Sequence, residues 1–474
     1  MNPSPEPPLP VAAATALVRE IAYGDPAALF APFAGQPGAM LLDSPAAATG
    51  PGRHAFIAVE PFQWLESKDG TISLNGTRRR GDPFAVLRQE LARFALRPDP
   101  ALPPLQGGVV GCFGYELARH LERLPVAARD DRRFPDLAVG FYDIVVAIDR
   151  SERRAWILSS GFPETDPAAR RERAGARLAD LAARLAAAGD PVPPATPPGP
   201  PAITANFSRS GYEAAVQRVI DYILAGDIFQ ANLSQRFDAA LPPGFGPWDL
   251  YRRLRAGNPA DFAAYLNLGD VVLASASPER FLRLSADRVE TWPIKGTRPR
   301  GATPDEDAAL AAALQASEKD RAENVMIVDL LRNDLSRVCR DGSIAVPSLC
   351  RLEALPTVFH LVSTVTGRLR PGLGPVDLLE ACFPGGSITG APKIRAMEII
   401  AELEPTRRGP YCGTIGYIGF DGAMDSSIVI RTFAVKDGVA TFQTGGGIVA
   451  DSSPADEYDE TLAKARALIA ALSP

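Results

Sequence analysis

Apolar positions along this chain follow two rhythms. Before residue 190, short apolar-rich runs at 141–148 and Arg154–Ser159 lie between Gly and Pro turns and read as strands. Leu178, Leu181 and Leu185 then mark one stripe of a helix that ends before Gly189. Residues 191–201, Pro-Val-Pro-Pro-Ala-Thr-Pro-Pro-Gly-Pro-Pro, suit neither helix nor central strand and read as a stiff linker. Beyond it the periodicity predicts helices over 212–224, 317–338 and 392–403, the last with proline in its first turn. It predicts strands over 270–275 and over 281–294, with a turn at Ser285-Ala-Asp. Residues 411–450 read as consecutive antiparallel strands broken at Phe420-Asp-Gly and Lys436-Asp-Gly, and a final helix starts after Ser453-Pro454. The pattern implies an α+β architecture on antiparallel sheets, organised as 1–190, a linker at 191–201, and 202–474.

Composition narrows the function. The 474 residues are 46% hydrophobic with net charge −6, which suits a globular core and gives no basic footprint for nucleic acid. No apolar run approaches the roughly 20 residues that span a membrane, and the N-terminus lacks a secretory pattern, so a soluble, cytoplasmic protein is expected. Five scattered cysteines, none in a Cys-x-x-Cys pair, suit reduced thiols. With only His54, His120 and His360, a His-rich metal site is excluded, while a hard cation held by oxygens is not.

Several side chains stand out against this background. Lys295 follows the apolar Trp292-Pro-Ile and precedes a glycine turn; desolvation there would lower its pKa and free a nucleophilic amine, although spacing alone favours a solvated lysine. Gly296 and Thr297 could offer backbone N–H groups to an anion. Glu279 would serve as a general acid if buried, but reads more simply as a surface carboxylate paired with Arg280. Asp320 is explained by a capping box with Ser317, whereas Glu323 shares a line with Ile327 and Leu330 and should point inward, needing a partner such as a cation. In the last helix Glu457, Glu460 and Lys464 form one stripe and Tyr458, Leu462, Ala465 and Ile469 an apolar stripe nearly opposite. The acidic stripe reads as a solvated face unless it looks into a cleft. Arg431, inside the strand-like run 427–435, suits a carboxylate partner. The glycine-rich stretches 444–449 and 384–392 read as turns able to cradle anions. Val110-Gly-Cys-Phe-Gly-Tyr-Glu with His120-Leu-Glu122 loosely mimics a glutaminase nucleophile and base. It lacks the glycine two before the cysteine, and eight residues cannot hold the intervening fold, so a glutaminase site is rejected.

Six ordered motifs are similar to those of the chorismate-utilising enzymes, the family of the large subunits of anthranilate and aminodeoxychorismate synthases. They are Phe229-Gln-Ala-Asn-Leu-Ser-Gln, Ser277-Pro-Glu-Arg-Phe, Pro293-Ile-Lys-Gly-Thr-Arg-Pro, Ala322-Glu-Asn-Val-Met-Ile-Val-Asp-Leu, Gly386-Ser-Ile-Thr-Gly-Ala-Pro-Lys and Gly445-Gly-Gly-Ile-Val-Ala-Asp-Ser. A fainter match covers Leu41-Leu-Asp-Ser44 and Gly107 to Glu116, resembling the N-terminal part of such subunits. The resemblance implies large antiparallel sheets packed as a sandwich with flanking helices. It implies that Glu323 and Glu460, with Glu457 close by, bind Mg²⁺, which holds the ring carboxylate of chorismate. Arg431, Tyr411 and the backbone of Gly445, Gly446 and Gly447 would hold the enolpyruvyl carboxylate, and Gly296, Thr297, His360 and Lys464 would line the site. Glu279 would protonate the departing C4 hydroxyl. Members that activate water carry a lysine where this chain has Gln230, which argues against water as nucleophile. Lys295 replaces the alanine of the anthranilate type and matches the aminodeoxychorismate type. There the amine adds at ring C2 as the C4 hydroxyl leaves, and ammonia enters at C4, giving 4-amino-4-deoxychorismate, a precursor of 4-aminobenzoate and folate. A separate glutamine amidotransferase subunit would supply ammonia, and the stretch ending at Ser44, with Asp43 where the family has Glu, resembles a tryptophan-binding motif. Lys295 disfavours an anthranilate synthase, and the intact acid, carboxylates and amine disfavour a non-catalytic sensor of an aromatic ligand.

Overall fold

A computed structural model describes residues 14–45, 50–126, 129–187, 189, 192–354 and 358–474. Among them, two twelve-stranded sheets form the frame, with every named strand pairing antiparallel. The first sheet runs Leu17–Ile21, Arg154–Ser159, Ile144–Asp149, His54–Ala58, Met40–Asp43, Phe262–Asn267, Val272–Ser277, Thr432–Lys436, Val439–Ile448, Gln230–Ala240 and Ile203–Ala205, with Gly390–Ala391 also on Gln230–Ala240. The second begins at Ile294–Pro299 and passes through Val358–Arg368, Arg288–Thr291, Arg280–Ser285, Met424–Ile428, Thr414–Gly419 and Gly108–Phe113. It continues through Leu137–Tyr142 to the hairpins at Gln63–Lys68, Thr71–Leu74 and Thr77–Arg80, with Ala345–Ala354 on Val358–Arg368. Strands from before and after the proline-rich stretch pair in both sheets: Asp43 faces Ala263 in the first, and Phe113 faces Thr414 in the second.

Period-two alternation explains the layers. Met40, Phe56, Val110, Tyr142, Trp156, Leu266 and Tyr417 turn inward and form the core between the sheets. Leu41, Ile57, Val146 and Ile148 turn outward from the first sheet onto helices that include Pro167–Ala186, Pro247–Gly257 and Pro454–Leu472. The outer face of the second sheet packs on Pro83–Leu91, Glu318–Ser336 and Pro375–Cys382. Where both faces are covered, as in Gly108–Phe113, Leu137–Tyr142, Ile144–Asp149 and Thr414–Gly419, the strands read as near-continuous apolar runs. The expected helix stripe of Leu178 and Leu181 is buried, with Leu185 packed beside it. All five cysteines are free and buried, and no described helix is long and apolar enough to cross a membrane.

Two expected strands are each two strands in different sheets. The run 141–148 divides at Asp143, with Leu137–Tyr142 in the second sheet and Ile144–Asp149 in the first. The run 427–435 divides between Ile428 and Thr432, and Arg431 takes a left-handed φ of 53° at the crossing. A third crossing joins Val272–Ser277 to Arg280–Ser285 through Pro278 and Glu279.

Candidate active site

Two of these crossings lie side by side. The Ile428 N–H donates to the Glu279 carbonyl at 3.0 Å, the Ser277 hydroxyl donates to the Ile428 carbonyl at 2.6 Å, and the Ala276 N–H donates to the Arg431 carbonyl at 3.1 Å. Peptide groups that leave the ladders are thus satisfied by one another, which fixes Glu279 and Arg431 relative to each other.

Glu279 is 5% exposed, and Arg280 forks onto Asp425 at 3.0 Å instead of pairing with it, so the surface-carboxylate expectation is overturned. The crossing turns the two neighbours apart. Burial pushes the Glu279 carboxyl up to about 7, against a hydrogen bond from Ser387, the Lys295 charge and the Ile294 N–H. It can hold a proton near neutral pH.

Lys295 lies in the strand Ile294–Pro299, at a bulge and not before a simple turn: it faces Leu361, whereas Thr297 faces His360, and Gly296 between them has φ of 73°. The Lys295 Nζ donates to the Ser387 carbonyl at 3.0 Å. Burial lowers its pKa against the opposing pull of Glu323 and Glu279, and Lys464 pushes it the same way as burial. The expected desolvation is present. Beyond the bulge, Thr297 Oγ1 lies 3.0 Å from His360 Nδ1, and burial lowers the imidazole to about 4, which leaves it neutral. Arg431 pushes His360 in the same direction, and Tyr411 acts on Arg431, so these three share one neighbourhood. Among the described residues no carboxylate pairs with the Arg431 guanidinium, although burial disfavours its charge.

On the opposite side stands the last helix, Pro454–Leu472. Its buried face is Glu457, Thr461, Ala465, Leu468 and Leu472, while Leu462 is 36% exposed, so the expected apolar stripe is rotated and Glu457 points inward. The glycines explain this. Gly445, Gly446 and Gly447 lie near the C-terminal end of the strand Val439–Ile448, facing Ser234, Leu233 and Asn232, and are not the turn expected of them. A Cβ on Gly446 would sit 2.8 Å from Glu457 Oε2 and 3.6 Å from Glu460 Oε1, and one on Gly447 would overlap the Gln230 amide. The missing side chains admit the carboxylates. Glu457 accepts from the Ser452 hydroxyl at 2.7 Å; Glu460 pairs with Lys464 at 2.6 Å, and Lys464 also donates to the Gly445 carbonyl at 2.8 Å. Burial raises Glu457, with Glu460 adding to the rise, whereas in Glu460 burial is outweighed by Lys464 and the carboxyl falls.

Glu323, half-buried on Glu318–Ser336, is raised by burial, opposed by Lys295 and Lys319 and reinforced by Asp320 and Glu460. Ser317 caps that helix through the Asp320 N–H at 3.2 Å, and the Asp320 carboxylate turns to Arg298 at 3.0 Å. Carboxylates from two helices therefore act on one another and on Lys295. As donors they are all oxygen, the type a hard divalent cation takes. Among the described residues, no three His, Cys, Asp or Glu side chains are gathered as a ready metal cage.

Gln230 is fully buried; its Nε2 lies 3.4 Å from Asn232 Oδ1 and its Oε1 has no partner, and it offers no base for water. Ser387 and Asn232 were not singled out beforehand: the Asn232 amide donates to the Ser387 carbonyl at 2.6 Å, the same oxygen that receives Lys295. Both stand inside the motifs already noted, but a main-chain acceptor leaves no mark on residue type.

Apart from these groups, a cavity of about 230 Å³ opens between the sheets. Ser44 lines it, with its hydroxyl donating to the Asp261 carbonyl at 2.6 Å, beside Phe56, Phe262, Tyr417 and Arg53. Asp43 is engaged by Tyr251 at 3.1 Å and Arg255 at 2.6 Å, whereas Asp261 Oδ1 has no partner and burial pushes its carboxyl up to about 6.

The family model described as chorismate binding enzyme matches residues 42–470. The chain is 43% identical over 445 residues to aminodeoxychorismate synthase component 1 of Klebsiella aerogenes, covering 93% of this chain and 95% of that protein. It is 45% identical over 421 residues to anthranilate synthase component 1 of Thermus thermophilus, covering 89% of each. The crystal structure of anthranilate synthase component I from Streptococcus pneumoniae superposes with a TM-score of 0.78 at 33% identity, covering 89% of this chain and 93% of that one.

Proposed function

From a chain that belongs to the chorismate-binding enzyme family, we propose an enzyme that aminates chorismate with ammonia to 4-amino-4-deoxychorismate through the Lys295 amine. The observation that carries this reading is the Lys295 amine, lowered by burial, acting together with a Glu279 carboxyl held near neutrality. An amine and a proton donor so matched suit addition coupled to loss of a hydroxyl. Nζ forms a bond to ring C2 as the C4–O bond breaks, and Glu279 gives its proton to the departing hydroxyl, which leaves as water. The added nitrogen loses a proton. Ammonia then bonds to C4 and the C2–Nζ bond breaks, which regenerates the lysine.

The unpaired Arg431 guanidinium, with Tyr411 beside it, suits the enolpyruvyl carboxylate, for which the backbone of Gly445, Gly446 and Gly447 is a further proposed contact. Glu323, Glu457 and Glu460, although not gathered as a cage, are oxygen donors of the type Mg²⁺ takes, and the ion when bound would neutralise and orient the ring carboxylate. Ammonia would come from a separate glutamine amidotransferase subunit, in keeping with relatives named as component 1 of their synthases. Tryptophan is proposed for the cavity between the sheets, where aromatic walls meet Arg53 and the unpartnered Asp261 Oδ1; a role in 4-aminobenzoate and folate supply follows from the product, and a cytoplasmic place for it is part of the proposal.

The anthranilate reading has one finding on its side, the 45% identity to an anthranilate synthase component. Purified protein incubated with chorismate, Mg²⁺ and an ammonium salt decides between them. The expected product is 4-amino-4-deoxychorismate, and Lys295→Ala slows its formation by at least about 10²-fold. Fluorescent anthranilate as the product, or an Ala variant as fast as the parent, overturns the proposal.

A further inference from the structure

Arg408 does not face the reacting groups, yet its guanidinium is 2% exposed and two of its hydrogen bonds lead toward them. Nε and Nη2 fork onto Glu404 at 2.9 and 2.7 Å; Nη2 also donates to the Asn232 carbonyl at 2.7 Å, and Nη1 donates to the Ile388 carbonyl at 3.1 Å. Asn232 and Ile388 flank a single acceptor. The Asn232 side chain donates to the Ser387 carbonyl, which receives the Lys295 amine, and Ile388 follows Ser387 in the chain. Glu404, 4% exposed, closes the far end of the helix Lys393–Leu403 and binds the Ser234 N–H at 2.9 Å and hydroxyl at 2.8 Å. Strand and turn are thereby clasped on both sides of the lysine's acceptor.

The N-terminal motif that mimics a glutaminase finds its use in the same clasp. Tyr115 stacks on the guanidinium at 4.8 Å, and the Glu116 carboxylate accepts from the Arg408 and Gly409 N–H groups, each at 2.9 Å. An ion pair kept only for stability needs Glu404 alone. Here one planar fork is shared among a carboxylate and two main-chain carbonyls from separate segments, a geometry that lysine cannot reproduce.

We propose that Arg408, held by Glu404 and Glu116, is a positioning residue that sets the Ser387 carbonyl and through it the Lys295 amine. The inference rests on the proposed role of Lys295. Arg408→Lys keeps the charge beside Glu404 and loses the shared fork. In chorismate amination it is expected to lower kcat by at least about ten-fold while KM for chorismate stays within about two-fold, since Arg431 is untouched and the guanidinium only lies over the Tyr411 ring at 5.7 Å without a hydrogen bond to it. Arg236→Gln is the control, because Arg236 is equally buried on the strand Gln230–Ala240 but pairs with Asp131 at 2.7 Å; per folded molecule its kcat should match the parent.

A second readout does not depend on the substrate. Reductive methylation mapped by mass spectrometry compares Lys295 with Lys436, which ends the strand Thr432–Lys436 and touches none of these groups. Release of the Ser387 carbonyl should speed Lys295 labelling relative to Lys436 by about three-fold or more in Arg408→Lys. Glu404→Gln, which unclamps the guanidinium, should shift the ratio in the same direction and serves if the lysine variant does not fold. An unchanged labelling ratio, a loss carried by KM, or an equal kcat loss in Arg236→Gln overturns the proposal. A parent enzyme that leaves chorismate unchanged refutes the proposed function instead, and the labelling ratio still decides the role of Arg408.

Discussion

Replacing Glu279 with Gln separates the cost of a buried acid from its use. In the folded protein burial raises this carboxyl from 4.5 to about 7, so the native state holds the proton more tightly than the unfolded chain. Below about pH 4.5 both states are protonated and the group is neutral to stability. Between that pH and about 7 the unfolded state ionises first, and stability is lost as pH rises through the folded value. At roughly 1.4 kcal/mol for each tenfold, the penalty above neutrality reaches about 3 kcal/mol, a ceiling because structural relaxation lets water in. Glutamine keeps an oxygen for the Ile294 N–H and Ser387 but has no proton to lose. Denaturant titrations of parent and Glu279→Gln should give similar stabilities near pH 5 and a more stable variant near pH 8.5. Amination should fall by about 10²–10⁴-fold in the variant, the usual worth of a general acid. The parent's rate should decline on the alkaline side of about 7 as the acid ionises. If the stability difference does not widen between the two pH values, the carboxyl is not held protonated by its surroundings and the reasoning fails.

Other perturbations test other walls of the site. Arg431→Lys keeps a charge but loses the fork, and should raise KM for chorismate at least about ten-fold with a smaller change in kcat, read from steady-state kinetics. Gly446→Ala places a Cβ 2.8 Å from Glu457 Oε2; thermal melting should show about 1–3 kcal/mol lost, and turnover should fall with it as the last helix is pushed away. Glu323→Gln and Glu460→Gln should each raise the Mg²⁺ concentration needed for half-maximal rate, and unchanged metal dependence would remove them from the cation's ligands.

The outer form of the fold was readable from periodicity because strands covered on both faces stay apolar throughout. That same continuity hid the crossings. In 141–148 and 427–435 the apolar run does not pause as the chain passes from one sheet to the other, because both destinations are buried. The one charged residue inside each run, Asp143 and Arg431, was the available sign, and only Arg431 was weighed. The two carboxylates most plainly misread from spacing alone, Glu279 as an arginine-paired surface acid and Glu457 as part of a solvated stripe, failed for one reason: each is buried by a distant segment. Glu279 meets the turn at Ser387, and Glu457 meets a strand whose glycine leaves room for it. The family resemblance implies a site for both, and the structure buries both, where helical and strand periods left them at the surface.

A sandwich has few positions where a side chain can escape its alternation, and the proposed chemistry of this chain is concentrated at them. Within a ladder, a residue faces either the inner core or a helix layer, both apolar here. At a crossing the backbone turns out of both ladders, and a side chain can point along the sheet edge toward a neighbouring segment. Glu279 and Arg431 occupy two such crossings, and their peptide groups bond to each other's flanks. Gly296 achieves a similar release within a strand, its bulge shifting the register between Lys295 and Thr297. Acid, guanidinium and amine are therefore set by main-chain irregularities locked into two large sheets, which confers rigidity on groups that otherwise sit on flexible stems. The carboxylates come instead from helix faces, Glu323 on one and Glu457 and Glu460 on another. The half proposed to act on the ring is built into the sheets, and the half proposed to hold a cation is carried by helices laid against them.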